Sequence, residues 1–341
     1  MKFQKAVYIY DTKKFVFRDE EMNESVHAYH VRVLPMWVGI CGSDLHALEQ
    51  SSRDEISLGH EWVGQVQKTG SDVSSLKPGD FVTSAVQIKC GYCPKCLAGS
   101  QDCENQYSLA TDHGMLTTLS DFPEASLLKI GNEVSAETTL IEILAVAENV
   151  YTNIQNELRP EKKILIIGAG SLGLSVGLVL KHYGYRAELI EIIPQRISRG
   201  QALGLNCLNA ARLLLDPQSK ANYDIVIDAS GDHLSGKGGW MYLEHFGKKK
   251  FLGVILAKYS QVDFRPTVFF LKNATLKWVQ GCTNESLLKA MENWNNKISQ
   301  IGPHMVSHHF EFSEVNEAFA MAKDREKSGR VVIKIQDKIK K

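Results

Sequence analysis

Over the first 148 residues the apolar positions fall in short β-type runs broken by turn residues. Examples are Val63 to Thr69 and, after Lys77-Pro78-Gly79-Asp80, the run Phe81-Val82-Thr83. Strand formers bounded by Pro, Gly and Asp predict a mainly β half. From Lys162 the pattern changes: KKILIIG reads as an apolar strand, AGSLGLSVGLVLKHYG as a glycine turn and helix, AELIEI as a second strand, and Pro194 to about Ala202 as a second helix. That is a βαβ unit. YDIVIDASG (223–231), KKKFLGVIL (248–256) and ATLKWVQG (274–281) extend a parallel sheet to about residue 284. A helix from Glu285, a strand at His308 to Phe312, a helix opening on Ser313 as its cap, and a last strand RVVIKI follow.

At 341 residues the chain suits two domains. Lys plus Arg total 39 and Asp plus Glu total 39, so no net field draws the protein to nucleic acid or an anionic membrane, and neither is expected as a partner. The uncharged run Ile164 to Leu180 is short for a membrane span and carries glycines at 168, 170, 173 and 177, which suit a tight turn better. The first residues lack a secretory pattern and the last ones a lipidation motif, so a cytoplasmic location is expected. Seven cysteines, four of them clustered between 90 and 103, then read as metal binding.

Gly168-Ala169-Gly170-Ser171-Leu172-Gly173 follows four consecutive aliphatics and opens an apolar helix, the context a dinucleotide fingerprint requires. Gly168 permits the turn, Gly170 lets backbone approach a pyrophosphate, and Gly173 lets helix and strand pack closely. Glu191, near the end of the next strand, is placed to accept from the adenosine ribose hydroxyls and to repel a 2′-phosphate. NAD is therefore favoured, while Arg196, within reach of the ribose, keeps NADP possible.

Cys90, Cys93, Cys96 and Cys103 offer four thiolates within a short loop, a set that closes the tetrahedral shell of a structural Zn²⁺. Asp102 and Glu104 beside them leave no basic stripe for nucleic acid. Cys41-Gly42-Ser43-Asp44-Leu45-His46 and Gly59-His60-Glu61 gather a thiolate, imidazoles, a hydroxyl and carboxylates within twenty-one residues. Alone, Cys41 reads as readily as a buried small hydrophobe and His60 as a core histidine.

Taken together, CGSDLH at 41–46, GHEWVG at 59–64, the cysteine lobe, IEILAVA at 141–147, GAGSLG, and FEFSEVNEAF through GRVVIKI resemble the zinc-containing medium-chain alcohol and polyol dehydrogenase family over nearly the whole chain. The resemblance implies an α/β architecture: a Rossmann doubly wound parallel sheet at 149–284 and a GroES-like β-barrel catalytic domain from 1–148 completed by 285–341, with the active site in the cleft. It makes Cys41, His60 and Glu142 the catalytic zinc ligands, Glu142 standing where simple alcohol dehydrogenases have cysteine. Ile143 replaces the family's usual proline, which keeps Glu61 as an alternative ligand.

The same resemblance gives Ser43 and His46 a proton relay and lets Asp44 orient His60. The implied reaction is hydride transfer between NAD and a secondary alcohol (a polyol, sugar or amino-polyol) held as a zinc-bound alkoxide, in a homodimer or homotetramer. A simple-alcohol or aldehyde reductase, and a non-catalytic NAD-binding sensor or structural protein on the same scaffold, are the alternatives.

Overall fold

The computed structural model describes residues 1–50, 53–100, 102–231, 240–256 and 265–337. The chain divides into two units, Met1–Glu142 with Thr283–Lys341, and Ile143–Cys282. The first break falls inside the helix Leu140–Ile154.

The first unit is built on a seven-stranded sheet. In spatial order its main path runs Leu127–Lys129, Phe81–Ser84, Glu61–Thr69, His30–Gly39, Arg330–Lys334 and Val306–Glu311, with Ser120–Pro123 also paired to His30–Gly39. The last strand thus lies inside this sheet, antiparallel to His30–Gly39 and parallel to Val306–Glu311. Trp62, Phe122, Leu58, Met115, Val331 and Ile333 fill one core. Trp62 stacks on Phe122 at 5.1 Å and donates its indole N–H to Ser84 Oγ at 3.0 Å, so this tryptophan is a core residue.

The helix Val315–Lys323 starts after a 3₁₀ turn at Phe312–Glu314. The expected Ser313 cap is not formed, since no side chain caps that helix; the 3₁₀ turn before it carries a capping box instead, with the Glu314 carboxylate accepting the Glu311 N–H at 2.8 Å and the Glu311 carboxylate the Glu314 N–H. Such a reciprocal pair satisfies two backbone donors at the start of the turn and places negative charge at its positive end.

The second unit is a six-stranded parallel sheet in the order Asn206–Asn209, Ala187–Glu191, Ile164–Ile167, Tyr223–Asp228, Gly247–Ile255, Thr275–Trp278. In chain order that is 3-2-1-4-5-6, the doubly wound Rossmann arrangement. All four residues of Ile164–Ile167 are buried, as a central parallel strand covered on both faces requires. The glycine turn leaves this strand where the order reverses, at the switch point where such sheets bind nucleotides. Among the described residues no helix is long and apolar enough to cross a membrane.

Candidate active site

Sheet register assembles the first cluster. Gly39 pairs with Glu61, so Cys41, two residues beyond Gly39, comes alongside His60 at the mouth of the next strand. The absence of a side chain at Gly39 makes room for the glutamate, since a Cβ there would sit 2.9 Å from Glu61 Oε2. The ligand atoms of Cys41, His60 and Glu61 all lie within 4.8 Å of one another, with His60 and Glu61 buried and Cys41 half-buried.

Asp44, in the first turn of the helix Gly42–Gln50, is 1% exposed and braces this group. Its Oδ2 accepts the Cys41 N–H at 2.8 Å, and its Oδ1 lies 3.2 Å from His60 Nδ1, leaving Nε2 to face the cluster. Ser43 Oγ sits 3.4 Å from that Nε2, and His46 is half-buried one turn further along the same helix. Burial works against a charge on His60, yet Asp44 and Cys41 outweigh it and raise the ring's pKa well above its ordinary value. The potential that favours a proton there also favours a metal cation, which the donor set of thiolate, imidazole and carboxylate could hold. Glu142, buried in the first turn of Leu140–Ile154, stands outside the 4.8 Å group, though its charge acts on Arg330 beside it.

The four cysteines gather as a second group, also within 4.8 Å. Cys90 Sγ lies 4.0 Å from Cys96 Sγ and 3.6 Å from Cys103 Sγ. A tetrahedron of Zn–S bonds of about 2.3 Å has sulfur–sulfur edges of about 3.8 Å, so the spacing suits zinc and is far too long for a disulfide. Backbone N–H groups of Cys93 and Cys90 point at the sulfurs of Cys90 and Cys103, both at 3.3 Å. Burial opposes a Cys90 thiolate, but the Tyr92 and Cys93 amides hold its pKa well below the ordinary thiol range. His308 and His309 lie on the strand Val306–Glu311 and join neither group.

In the second unit Gly168 has φ +93°, a left-handed conformation that favours glycine. A Cβ on Gly173 would sit 1.9 Å from the Gly168 carbonyl oxygen, so the helix Ser171–His182 reaches the turn only because that position is bare. Gly173→Ala should therefore lower the unit's unfolding free energy by at least about 1–3 kcal/mol, readable by calorimetry. A Cβ on Gly170 would meet within 4 Å only Arg196 Nη1, at 3.9 Å, a backbone stretch open enough for a pyrophosphate. Ser171 and Leu172 begin the helix, half-buried.

Glu191 also makes backbone hydrogen bonds that the sequence did not announce. It is 7% exposed, its Oε2 accepts the Ala169 N–H at 3.0 Å, and its Oε1 accepts those of Ile192 and Ile193 at 2.7 and 3.1 Å. The carboxylate ties the glycine turn to the end of its strand, and Arg196 Nη1 lies 3.9 Å from it.

Residues 27–132 match the alcohol dehydrogenase GroES-like domain. An uncharacterized zinc-type alcohol dehydrogenase-like protein of Escherichia coli K12 is 27% identical over 88% of this chain and 90% of its own length. A probable D-xylulose reductase A of Neosartorya fischeri is 32% identical over 63% of this chain and 65% of its own. A crystal structure of an Escherichia coli oxidoreductase/dehydrogenase of unknown specificity, described as involved in membrane biogenesis, superposes with a TM-score of 0.80 at 27% identity, covering 99% of this chain and all of that one. The chain belongs to the zinc-containing medium-chain dehydrogenase family.

One residue of this medium-chain dehydrogenase escaped the sequence reading. Arg330, 3% exposed, opens the last strand and forms an ion pair with Glu61 beside the Cys41–His60 group. Its only sequence signal is a cation ahead of VVIK, which reads as the solvated end of a strand.

Proposed function

We propose that this dehydrogenase oxidises a secondary alcohol, of the polyol, sugar or amino-polyol class, with NAD as hydride acceptor. Cys41, His60 and Glu142 would hold the catalytic zinc, and the four-cysteine lobe a structural one. The observation that carries this reading is a thiolate, an imidazole and a carboxylate converging, with no second cysteine in that group among the described residues, in one chain with a glycine turn at a doubly wound switch point. The similarity to a protein named for acting on D-xylulose, a sugar, supports the polyol class.

When bound, zinc supplies a charge that acidifies an alcohol oxygen, and NAD accepts the hydride. The chain's own residues do the rest. Asp44 fixes the tautomer and orientation of His60 through Nδ1, so Nε2 is the donor presented. Ser43 Oγ, 3.4 Å from that donor, receives the substrate hydroxyl proton and passes it to His46 on the same helix. The backbone N–H groups at the start of Ser171–His182 take the pyrophosphate, with Gly168, Gly170 and Gly173 keeping the approach clear. Glu191 holds that turn in shape and, with Arg196 beside it, sets the charge met by the ribose. The edge strand Thr275–Trp278, with Trp278 exposed, and the exposed Phe270 and Leu271 just before it form the face we assign to a second copy of the chain.

Elemental analysis of the purified protein should give two zinc ions per chain, one for each group. NAD reduction should then be found with members of a polyol and sugar panel and be weak with ethanol. A chain that carries no metal, or reduces NAD with none of the panel, would refute the assignment.

A further inference from the structure

Lysines gather at one end of the six-stranded sheet of the second unit. Lys162 and Lys163 lead into Ile164–Ile167, Lys220 precedes Tyr223–Asp228, and Gly247–Ile255 opens with Lys248, Lys249 and Lys250 after its glycine. The glycine turn leaves the sheet at the opposite, carboxyl end of these strands. Pairing makes the three consecutive lysines an insertion: Gly247 pairs with Tyr223 and Leu252 with Ile225, so Asp224 alone faces Lys248, Lys249, Lys250 and Phe251. The extra residues bulge from the sheet, and Lys250 takes φ +62°, a left-handed conformation that a side chain disfavours. Ala221 in the adjoining turn, whose N–H donates to the His245 carbonyl at 2.9 Å, is left-handed as well, at φ +53°. Phe251 is buried and pins the bulge from below, while Lys249 and Lys250 are exposed.

The carboxylates nearby are already engaged. Asp224 pairs with Lys248 and accepts the Lys163 N–H at 3.1 Å, and Glu157 lies 3.7 Å from the Lys162 ammonium. Lys220, Lys249 and Lys250, all exposed, form no ion pair among the described residues. The excess charge is felt inside the unit, where the pKa of half-buried His245 is lowered by burial first and then by Lys220 and Lys272. Neighbouring Cα atoms are about 3.8 Å apart, well within a Debye length of about 8 Å, so the lysines of the bulge repel one another. Strain and repulsion both cost stability, and an anionic partner bound to the folded chain returns it.

We propose that this end of the sheet docks the protein on an anionic phospholipid surface, with Lys220, Lys249 and Lys250 as the contacts. The overall balance of charge removes a long-range pull towards a membrane but not this local one. Headgroups fit better than a nucleic acid. The unpaired cations are lysines, point charges on flexible stems that suit a diffuse array of anions, whereas single strands are held on stacking rings. Tyr223 and Phe251, the aromatic residues beside the bulge, are both buried and offer no face to a base. Docked this way, the glycine turn points away from the lipid and stays accessible to cofactor.

The test is cosedimentation of the full chain with vesicles of phosphatidylcholine alone, or with about one part in three of phosphatidylglycerol, at about 0.1 M salt. Wild type should sediment with the anionic vesicles only, and about 0.5 M salt should release it. The triple variant Lys220→Glu, Lys249→Glu, Lys250→Glu should bind about a hundredfold more weakly or worse, because each lysine at such a surface contributes about a fivefold gain. Lys250→Gly separates docking from folding. Glycine accepts φ +62° without strain, so this variant should melt no lower than wild type yet bind about fivefold more weakly, and Lys250→Arg should bind as wild type does.

Wild type that stays in the supernatant with anionic vesicles would overturn the proposal. So would a triple variant that sediments like wild type, or a folded Lys250→Gly chain whose binding is undiminished. Retention of wild type by an RNA or DNA oligonucleotide and not by the vesicles would also overturn it, since the face would then belong to nucleic acid.

Discussion

Cys41→Ala is expected to lower kcat/KM for the alcohol by well over a hundredfold and to reduce zinc from two ions per chain to one, the lobe ion remaining. The magnitude follows from rank within the site: changing a group that merely orients a ligand costs about 10- to 100-fold in metal affinity or activity, and removing a ligand costs more. Asp44→Asn, which disturbs His60 and the Cys41 N–H without removing a donor, should fall within that lower range. The fold should tolerate Cys41→Ala, because Cys41 is half-buried at a helix start and outside the main core cluster. Steady-state kinetics beside elemental analysis decide the matter. A variant with two zinc ions and more than a tenth of wild-type turnover would remove Cys41 from the mechanism.

Cys96→Ser is expected to empty the lobe and let it unfold locally while the rest of the first unit stays folded. Between residues 90 and 106, only Cys90 and Cys93 are buried among the described positions, and Leu97 is 75% exposed. Such a segment has almost no apolar core of its own. What else holds it is a ring stack, Tyr92 lying 5.5 Å from both His27 and Tyr29. A structural zinc contributes about 10–16 kcal/mol to the folding of small metal-dependent domains, several times what such stacking offers. Hydrogen exchange or limited proteolysis should show loss of protection confined to this loop, with cofactor binding by the second unit intact. Unchanged protection in Cys96→Ser would mean that packing rather than metal orders the lobe.

Local signals carried much of the fold. The run of aliphatics at Ile164–Ile167 and the glycines after it announce strand, turn and helix because both faces of a central strand must be apolar and the turn leaves no room for a side chain at Gly168 or Gly173. Residues whose task is set by distant pairing were harder to read. Arg330 reaches the Ile40 carbonyl across 290 positions of sequence, and nothing in its neighbours marks it as buried. Glu191 sits at the expected strand end, but which way a carboxylate turns depends on the backbone N–H groups around it, and those of Ala169, Ile192 and Ile193 take it. Which of Glu61 and Glu142 lies closer to Cys41 and His60 is illegible in sequence for the same reason, since sheet pairing brings Glu61 into that group.

The place of the last strand also bears on synthesis. His30–Gly39 leaves the ribosome long before Arg330–Lys334, its partner in the finished sheet. At about 5–20 residues per second the intervening chain takes on the order of tens of seconds to make. Throughout that interval the strand leading to Cys41 has an unfilled edge, and Glu61 has no arginine to face. The ion pair between Glu61 and Arg330 therefore forms only once the chain is complete, and until then the carboxylate beside His60 lacks its counter-charge.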